Sequence, residues 1–401
     1  MRVAVIGSGV AGLGAAYVLS RAHEVEVFEQ DERPGGHVNT VSVDGLALDT
    51  GFLVHNERNY PLLGRLFAEL GIRTQESDMS FSVTCCDCGL EYAGRRPFAQ
   101  PRNAASARFH TLLWEIGRWL RTARRSLDQR DLDGWSLLRY LDEYRYSERF
   151  RRHFLVPLTS ALWSTAPARA LEFPAVHAIR FFDNHGMLGF RRFRWRSVAG
   201  GSRTYVDAVV ERLGGIRTGL PVRSVRRRPD GVFVRTADGE SDRFDRAVVA
   251  THADEALALL EDATERERRL LGAFPYTAND AVLHTDRSFL PRARSARASW
   301  NYRVNGAVRP TITYWLNSLQ RLDAETDYLV TLNEQVPEEH VRGRFRYTHP
   351  VFTVDALAAQ ERLPELAGGT TVFAGAYHGN GFHEDGLASG VRAAAALGVR
   401  W

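Results

Sequence analysis

Two segments of this chain concentrate residues that could do chemistry. At the start, Val3-Ala4-Val5-Ile6 leads into Gly7-Ser8-Gly9-Val10-Ala11-Gly12, an Ala-rich stretch follows, and Val25-Glu26-Val27-Phe28 ends on Glu29. Near the other end, Tyr377, His378, Asn380, His383, Glu384 and Asp385 fall in one short Gly-rich loop. The first set can hold a dinucleotide. Gly7 permits a tight turn, Gly9 lets a pyrophosphate reach the backbone, and Gly12 lets a helix lie close to a strand. A helix opening at Val10 and Ala11 would offer its free N–H groups to the phosphates. Glu29, twenty residues past Gly9, can accept both hydroxyls of an unphosphorylated ribose, which argues against NADP. The motif alone does not separate NAD from FAD, but the second glycine pair, Gly35-Gly36 followed by His37, favours FAD. The second set can move protons: His383 or Glu384 is a candidate general base for a C–H proton, and Tyr377 a candidate aromatic wall. The alternative is that Glu384-Asp385 serves a helix N-terminus and that His383 is a packed, hydrogen-bonded side chain.

The elements that must position these residues are legible in outline. Strand, glycine turn, helix, strand and acid occupy the first thirty residues, and Asp49-Thr50-Gly51-Phe52 turns after a strand-like Gly45–Leu48. Leu112, Leu113, Ile116, Trp119 and Leu120 recur at helical spacing, as do Leu137, Leu138, Leu141 and Tyr144. Gly200-Gly201-Ser202 returns the chain into a helix over Tyr205–Leu213. Short strands follow at 219–225, 231–236 and 246–250, the last ending on Thr251. Residues 280–350 alternate like sheet, and the chain closes with a strand over Thr371–Gly375, the loop, and a helix from Gly386 to Leu397. This order predicts a discontinuous nucleotide-binding domain (1–75, 198–270 and 366–401) and a substrate-binding domain (76–197 and 271–365), with ligands at their junction.

Composition bounds the function. The 401 residues are 44% hydrophobic, with no uninterrupted apolar run of 18 residues, so no membrane-spanning helix is expected. The chain opens on the first strand with no secretory signal, which predicts a cytoplasmic protein and leaves contact with the inner face of a membrane open. The formal net charge is +4 and all 52 basic residues are arginine, since the sequence has no lysine. Lysine chemistry, including a Schiff base, is excluded. Arg191, Arg192, Arg194 and Arg196 alternate with Phe193 and Trp195. That run reads as a solvated strand face or a guide for an acidic group, and the balanced charge argues against nucleic acid. Cys85, Cys86 and Cys88 cannot build a disulfide framework, and His110 alone completes no ligand set. No metal is expected there.

The N-terminal fingerprint, the Gly200-Gly201-Ser202 return and the Gly375–Gly390 segment resemble the flavin-dependent amine oxidase and phytoene desaturase superfamily. Further motifs resemble one subgroup, FAD-dependent oxidoreductases often encoded beside cyclopropane-fatty-acid synthases. They are Asp49-Thr50-Gly51-Phe52-Leu53-Val54-His55-Asn56, Ser77–Val83, Asn184-His185-Gly186-Met187-Leu188, Ser299-Trp300-Asn301-Tyr302 and Gly381–Gly386. The resemblance implies an α/β fold: a discontinuous, glutathione-reductase-like Rossmann-type FAD-binding domain with an inserted α+β substrate domain, amine-oxidase-like in arrangement. It implies FAD held by Gly7, Gly9, Val10, Ala11, Gly12, Glu29, Gly35, Gly36, His37, Gly51, Phe52, Val222, Thr251, Gly375, Gly386 and Leu387. The last helix would aim its N-terminus at the flavin pyrimidine ring. His55, Asn56, His185 and Trp315 become candidate substrate contacts, and Trp163 and Trp300 either tunnel wall or core. Without the lysine that many amine oxidases place near the flavin, amines are poor candidate substrates and rapid reaction with O₂ is disfavoured. The resemblance thus implies hydride removal from an apolar, unsaturated acyl or lipid-like substrate, by desaturation, oxidation or redox-neutral double-bond isomerisation. Two alternatives are a tailoring flavin oxidase acting on a soluble small molecule, and a non-catalytic flavoprotein partner of a neighbouring methyltransferase or synthase. Oligomeric state is not indicated.

Overall fold

The apolar run at residues 3–6 can be buried on both faces only inside a parallel sheet. The computed structural model, which describes residues 1–128, 132, 134–189 and 193–401, places it there. Four parallel strands stand in the order Thr371–Phe373, Arg246–Val249, Arg2–Ile6 and Glu24–Phe28. Val3, Ala4 and Val5 are fully buried. One face is covered by the helix Val10–Leu19 and the terminal helix His383–Ala396, which lie against each other. Their approach is close enough that a Cβ at Gly390 would stand 2.1 Å from the Ala11 carbonyl oxygen. The other face carries an antiparallel sheet of Val222–Arg228, Gly231–Thr236 and Ser241–Phe244, packed through Val225, Val234 and Phe244 onto Phe28.

The remaining segments meet in a seven-stranded sheet. Its order is Val341–Pro350, Tyr276–His284, Leu329–Leu332, Thr311–Trp315, Trp300–Val304, Phe81–Cys85 and Glu91–Ala93. All neighbours are antiparallel except Trp300–Val304 with Phe81–Cys85. A helical layer that includes Ala107–Ser126, Leu137–Glu143, Val156–Trp163 and Ala175–Asn184 packs around Trp119, Tyr140, Phe150 and Phe182. Among the described residues no helix is long and apolar enough to cross a membrane.

Three details differ from the sequence expectation. The terminal helix begins at His383, three residues early, because the Asp385 carboxylate accepts the Phe382 N–H at 2.9 Å and caps it. The strand expected at 219–225 runs over Val222–Arg228, because the N–H groups of Gly219 and Leu220 are taken by the Asp31 and Glu29 carbonyls. Arg191 and Arg192 lie outside the described residues. Arg196 is no solvated side chain: it donates to the Thr74 hydroxyl at 2.6 Å and the Thr74 carbonyl at 2.8 Å.

Candidate functional site

A cavity of about 710 Å³ opens beside the glycine turn and takes its walls from both halves of the fold. Gly7, Gly9, Val10, Ala11, Glu29, Gly35, Gly36, His37, Gly51, Phe52, Val222, Thr251, Gly375 and Gly386 all line it. The helix Val10–Leu19 has no side-chain cap at Gly9, so its first N–H groups are left for a ligand. A Cβ on Gly9 would meet nothing within 4 Å, so the space in front of those N–H groups is clear. Gly12 supports the turn from behind, where a Cβ would stand 1.9 Å from the Gly7 carbonyl oxygen. Glu29 is buried at the cavity edge. Its Oε2 accepts the Ser8 N–H at 2.9 Å and the Ser8 hydroxyl, and its Oε1 accepts the Asp31 N–H at 2.9 Å. An uncapped helix terminus, a clear approach and a carboxylate lining the same cavity at the end of the second strand fit a dinucleotide such as FAD. Leu387 is a correction to the ligand set: it is fully buried against Gly14, between the two packed helices, and does not line the cavity.

Asp49 is a residue whose role sequence reasoning missed, although both segments it joins had been singled out. It is wholly buried and accepts the Ser202 N–H at 2.9 Å, the Ser202 hydroxyl at 2.7 Å and the Thr40 hydroxyl at 2.6 Å. Gln320, from the sheet half, adds an Nε2 donor at 3.3 Å. The carboxylate therefore ties the glycine return to the turn that carries Gly51 and Phe52. Burial raises its pKa to about 6, against the pull of those hydrogen bonds.

Away from the glycine turn the wall is aromatic and aliphatic: Leu53, Met79, Leu162, Phe181, Met187, Trp195, Trp300, Tyr314 and Phe382. Met79 and Met187 sit in motifs the sequence had marked, but neither was read as wall. Two further histidines stand with His37: ring centroids are 5.2 Å to His349 and 6.0 Å to His252. Burial holds His37 well below its ordinary pKa and His349 at about 4, so both are neutral at pH 7.

The candidate proton-handling residues separate. Tyr377 lines the cavity but is buried against Phe274, its phenol pushed well above the ordinary range by burial. His383 lines the cavity, stacks on Phe52 at 4.0 Å and shares a hydrogen bond of 2.6 Å between its Nε2 and the Tyr205 hydroxyl. Burial lowers its pKa to about 3. Glu384 is a correction. It is outside the cavity lining, and its two oxygens accept the N–H groups of Leu62 at 2.7 Å and Leu63 at 3.0 Å, the first turn of the helix Pro61–Leu70. Its carboxylate caps that helix and is not aimed at substrate. Glu384→Ala is therefore expected to lower stability by about 2–3 kcal/mol, the scale of hydrogen bonds to a charged group. The rate of flavin reduction at saturating substrate should change less than about threefold. Loss of a general base would instead cost at least about a hundredfold, and stopped-flow absorbance with thermal melting distinguishes the two.

The candidate substrate contacts also divide. His185 lines the cavity, stacked on Phe181 at 3.8 Å with its Nδ1 at 2.9 Å from the Phe181 carbonyl oxygen. Burial lowers its pKa to about 4. His55 and Asn56 are buried behind the wall, His55 against the Phe67 ring at 5.3 Å and Asn56 accepting the Asn59 N–H at 2.8 Å. Trp315 points to the far side of its strand, where its indole N–H donates to Asp327 at 2.8 Å. None of these three lines the cavity. Trp163 is core, while Trp300 reaches the wall.

Comparison with known proteins agrees with this geometry. A family model described as flavin containing amine oxidoreductase matches residues 10–398. Protoporphyrinogen oxidase 2 of Arabidopsis thaliana is 46% identical over 76 residues, 19% of this chain and 15% of that protein's length. The matched segment thus spans only a small part of that relative. A redesigned putrescine oxidase superposes with a TM-score of 0.74 at 17% identity, over 99% of this chain and 98% of the other. A CLA-producing fatty acid isomerase from P. acnes does so at 0.68 and 15%, over 97% and 96%. These solved structures share the fold. With a family match over nearly its whole length and a cavity built for the cofactor, the chain belongs to the flavin-containing amine oxidoreductases and is an FAD-dependent oxidoreductase of the amine oxidase and desaturase superfamily.

Proposed function

We propose that this protein removes hydride from an apolar, unsaturated acyl or lipid-like substrate, in a desaturation or a redox-neutral double-bond shift. The observation that carries the reading is the wall beyond the cofactor cradle: Met79, Leu162, Phe181, Trp300, Tyr314 and Phe382 present rings and thioether or alkyl groups. The charged lining residue contributed by the sheet half, Arg346, is a cation turned outward toward Asp280 at 3.8 Å, and among the described residues that half places no carboxylate in the lining. Such a wall offers an amine no counter-charge. It suits an alkenyl chain, each methylene of which gains about 0.8 kcal/mol on leaving water.

Bound FAD supplies an acceptor for a hydride. The side chains do the rest. Phe181, Phe382 and Trp300 exclude water and lay the chain along one path. His383, clamped between Phe52 and Tyr205, is a positioning residue that fixes the floor of the cavity. His185 is the residue with proton capacity: with Nδ1–H donated to the Phe181 carbonyl, Nε2 keeps its lone pair. In desaturation a hydride and the proton of the adjacent carbon leave the chain, the proton to His185 Nε2. In a double-bond shift the hydride returns to a different carbon.

The test is an anaerobic absorbance titration of the holoenzyme with unsaturated fatty acids and phospholipids, followed by air, with products read by mass spectrometry. Bleaching with a new double bond supports desaturation, and migrated double bonds without bleaching support isomerisation. No bleaching and no product across the panel overturns the lipid reading.

A further inference from the structure

The three cysteines lie outside the flavin cavity, and the fold brings them a partner the sequence did not suggest. His110 is engaged with the Ala104 carbonyl at 2.8 Å. It is His153, 65 residues past Cys88, whose Nε2 stands 3.6 Å from the Cys88 sulfur. The ligand atoms of Cys85, Cys88 and His153 all lie within 4.8 Å of one another. We propose that these three residues form a Zn²⁺ site, with solvent in the fourth position, that pins the hairpin of Phe81–Cys85 and Glu91–Ala93 to the helical layer.

Four features of the cluster carry this. The Cys88–His153 spacing of 3.6 Å is that of two ligands on one tetrahedral ion: with Zn–S near 2.3 Å and Zn–N near 2.05 Å, sulfur and nitrogen stand about 3.6 Å apart. The hairpin turn that carries both cysteines is tightly closed: the Gly89 N–H donates to the Cys85 carbonyl at 2.9 Å, and Gly89 takes a left-handed φ of +70°. The imidazole is held in the tautomer a metal needs. Its Nδ1 stands 3.1 Å from the Arg149 carbonyl oxygen, so Nδ1–H is donated there and the Nε2 lone pair faces the sulfurs, an outer hydrogen bond of the kind metal-bound histidines make. Finally, His153 sits in a π-helical turn, Arg151–Leu155, and the Tyr92 hydroxyl donates to its carbonyl at 2.6 Å, so the hairpin already grips the residue that carries the ligand.

The chemistry selects the ion. Two thiolates and an imidazole are a soft set that favours Zn²⁺ over Mg²⁺ or Ca²⁺. Binding releases two thiol protons and leaves the centre neutral, so no charge is buried without compensation. Cys85 and His153 are buried while Cys88 is exposed, which gives the ion an entry path and leaves room for a solvent ligand. Cys86 is exposed and lies outside the cluster.

The test uses the full-length holoenzyme purified under reducing conditions. Metal content is measured, the ion is removed with a chelator, and Zn²⁺ and then Co²⁺ are titrated back. The expected result is one equivalent per chain, a Co²⁺ thiolate spectrum beyond the flavin bands, and a higher melting temperature with Zn²⁺. Cys88→Ser, at an exposed position that should not compromise folding, and His153→Ala should each weaken Zn²⁺ binding at least about a hundredfold with flavin content unchanged. Cys86→Ser should weaken it less than about threefold. Failure to bind one equivalent overturns the proposal. So does equal weakening by Cys86→Ser and Cys88→Ser, or a Cys85–Cys88 disulfide in the reduced preparation by peptide mapping.

Discussion

Gly12→Ala should yield protein that purifies without flavin and melts well below the parent, whereas Gly9→Ala should yield protein that also lacks flavin but keeps the melting temperature of the parent's apo form. The two positions are three residues apart in one turn and differ in what lies before them. An added methyl at Gly12 would stand 1.9 Å from the Gly7 carbonyl oxygen and 3.3 Å from Ala250 Cβ. Gly7 cannot retreat. Its N–H is held by the Phe28 carbonyl at 2.8 Å, its φ is +96°, and the Ala250 carbonyl oxygen is 2.9 Å from where its own Cβ would be. Overpacking costs about 1–3 kcal/mol, and a clash with backbone that cannot move belongs at the upper end of that range. The helix would have to move off the strand, taking its N–H groups away from the phosphate position. At Gly9 an added methyl meets no protein atom within 4 Å, so its cost falls on the ligand alone. Visible absorbance relative to protein, with thermal melts of both apo forms, separates these outcomes. A Gly12→Ala protein with full flavin and an unchanged melt would refute the close-packing account.

That contrast also shows what the sequence could and could not carry. The glycine turn is written in local backbone requirements, and fourteen of the sixteen residues assigned to FAD line the cavity, Gly12 and Leu387 being the exceptions. The substrate side depends on which face of a strand meets the cavity, and a period of two makes that a one-residue question. Tyr314 faces the cavity and Trp315 faces Asp327. An aromatic or polar residue beside the right one is indistinguishable in one sequence. Glu384 was misread, and His153 passed over, for another reason. Their partners, Leu62 and Leu63 for one and Cys88 for the other, are set by tertiary packing across 322, 321 and 65 residues. A carboxylate next to a loop reads as a base until the helix it caps is seen.

Acid should unfold this protein steeply between pH 6.5 and 4, with several protons taken up per chain. Burial lowers the pKa values of His55, His177, His185, His284 and His349 to about 4, and of His378 and His383 to about 3. An unfolded histidine titrates near 6.5. Each of these groups therefore binds more protons unfolded than folded across that window, and stability present above pH 6.5 is lost as pH falls toward the folded pKa. Asp49 has the opposite sign. Its folded pKa of about 6 lies above the usual carboxylate value near 3.9, so its contribution is fully present below pH 3.9 and lost as pH rises through 6. Burial also raises Glu384 and Asp385, which act in the same sense as Asp49. Near pH 5.5 the histidines outweigh the acids, and about five protons should be taken up on unfolding. His55 isolates one term, because it is buried with neither ring nitrogen hydrogen-bonded and lies outside the cavity lining. His55→Leu should raise stability at pH 5 by about 2 kcal/mol relative to the parent and reduce the uptake by about one proton. Denaturant midpoints from pH 8 to 5, followed by flavin release, provide the check. A midpoint that stays level from pH 7 to 5 would mean that water reaches these rings in the folded protein, and the aromatic wall that depends on their being dry would have to be redrawn.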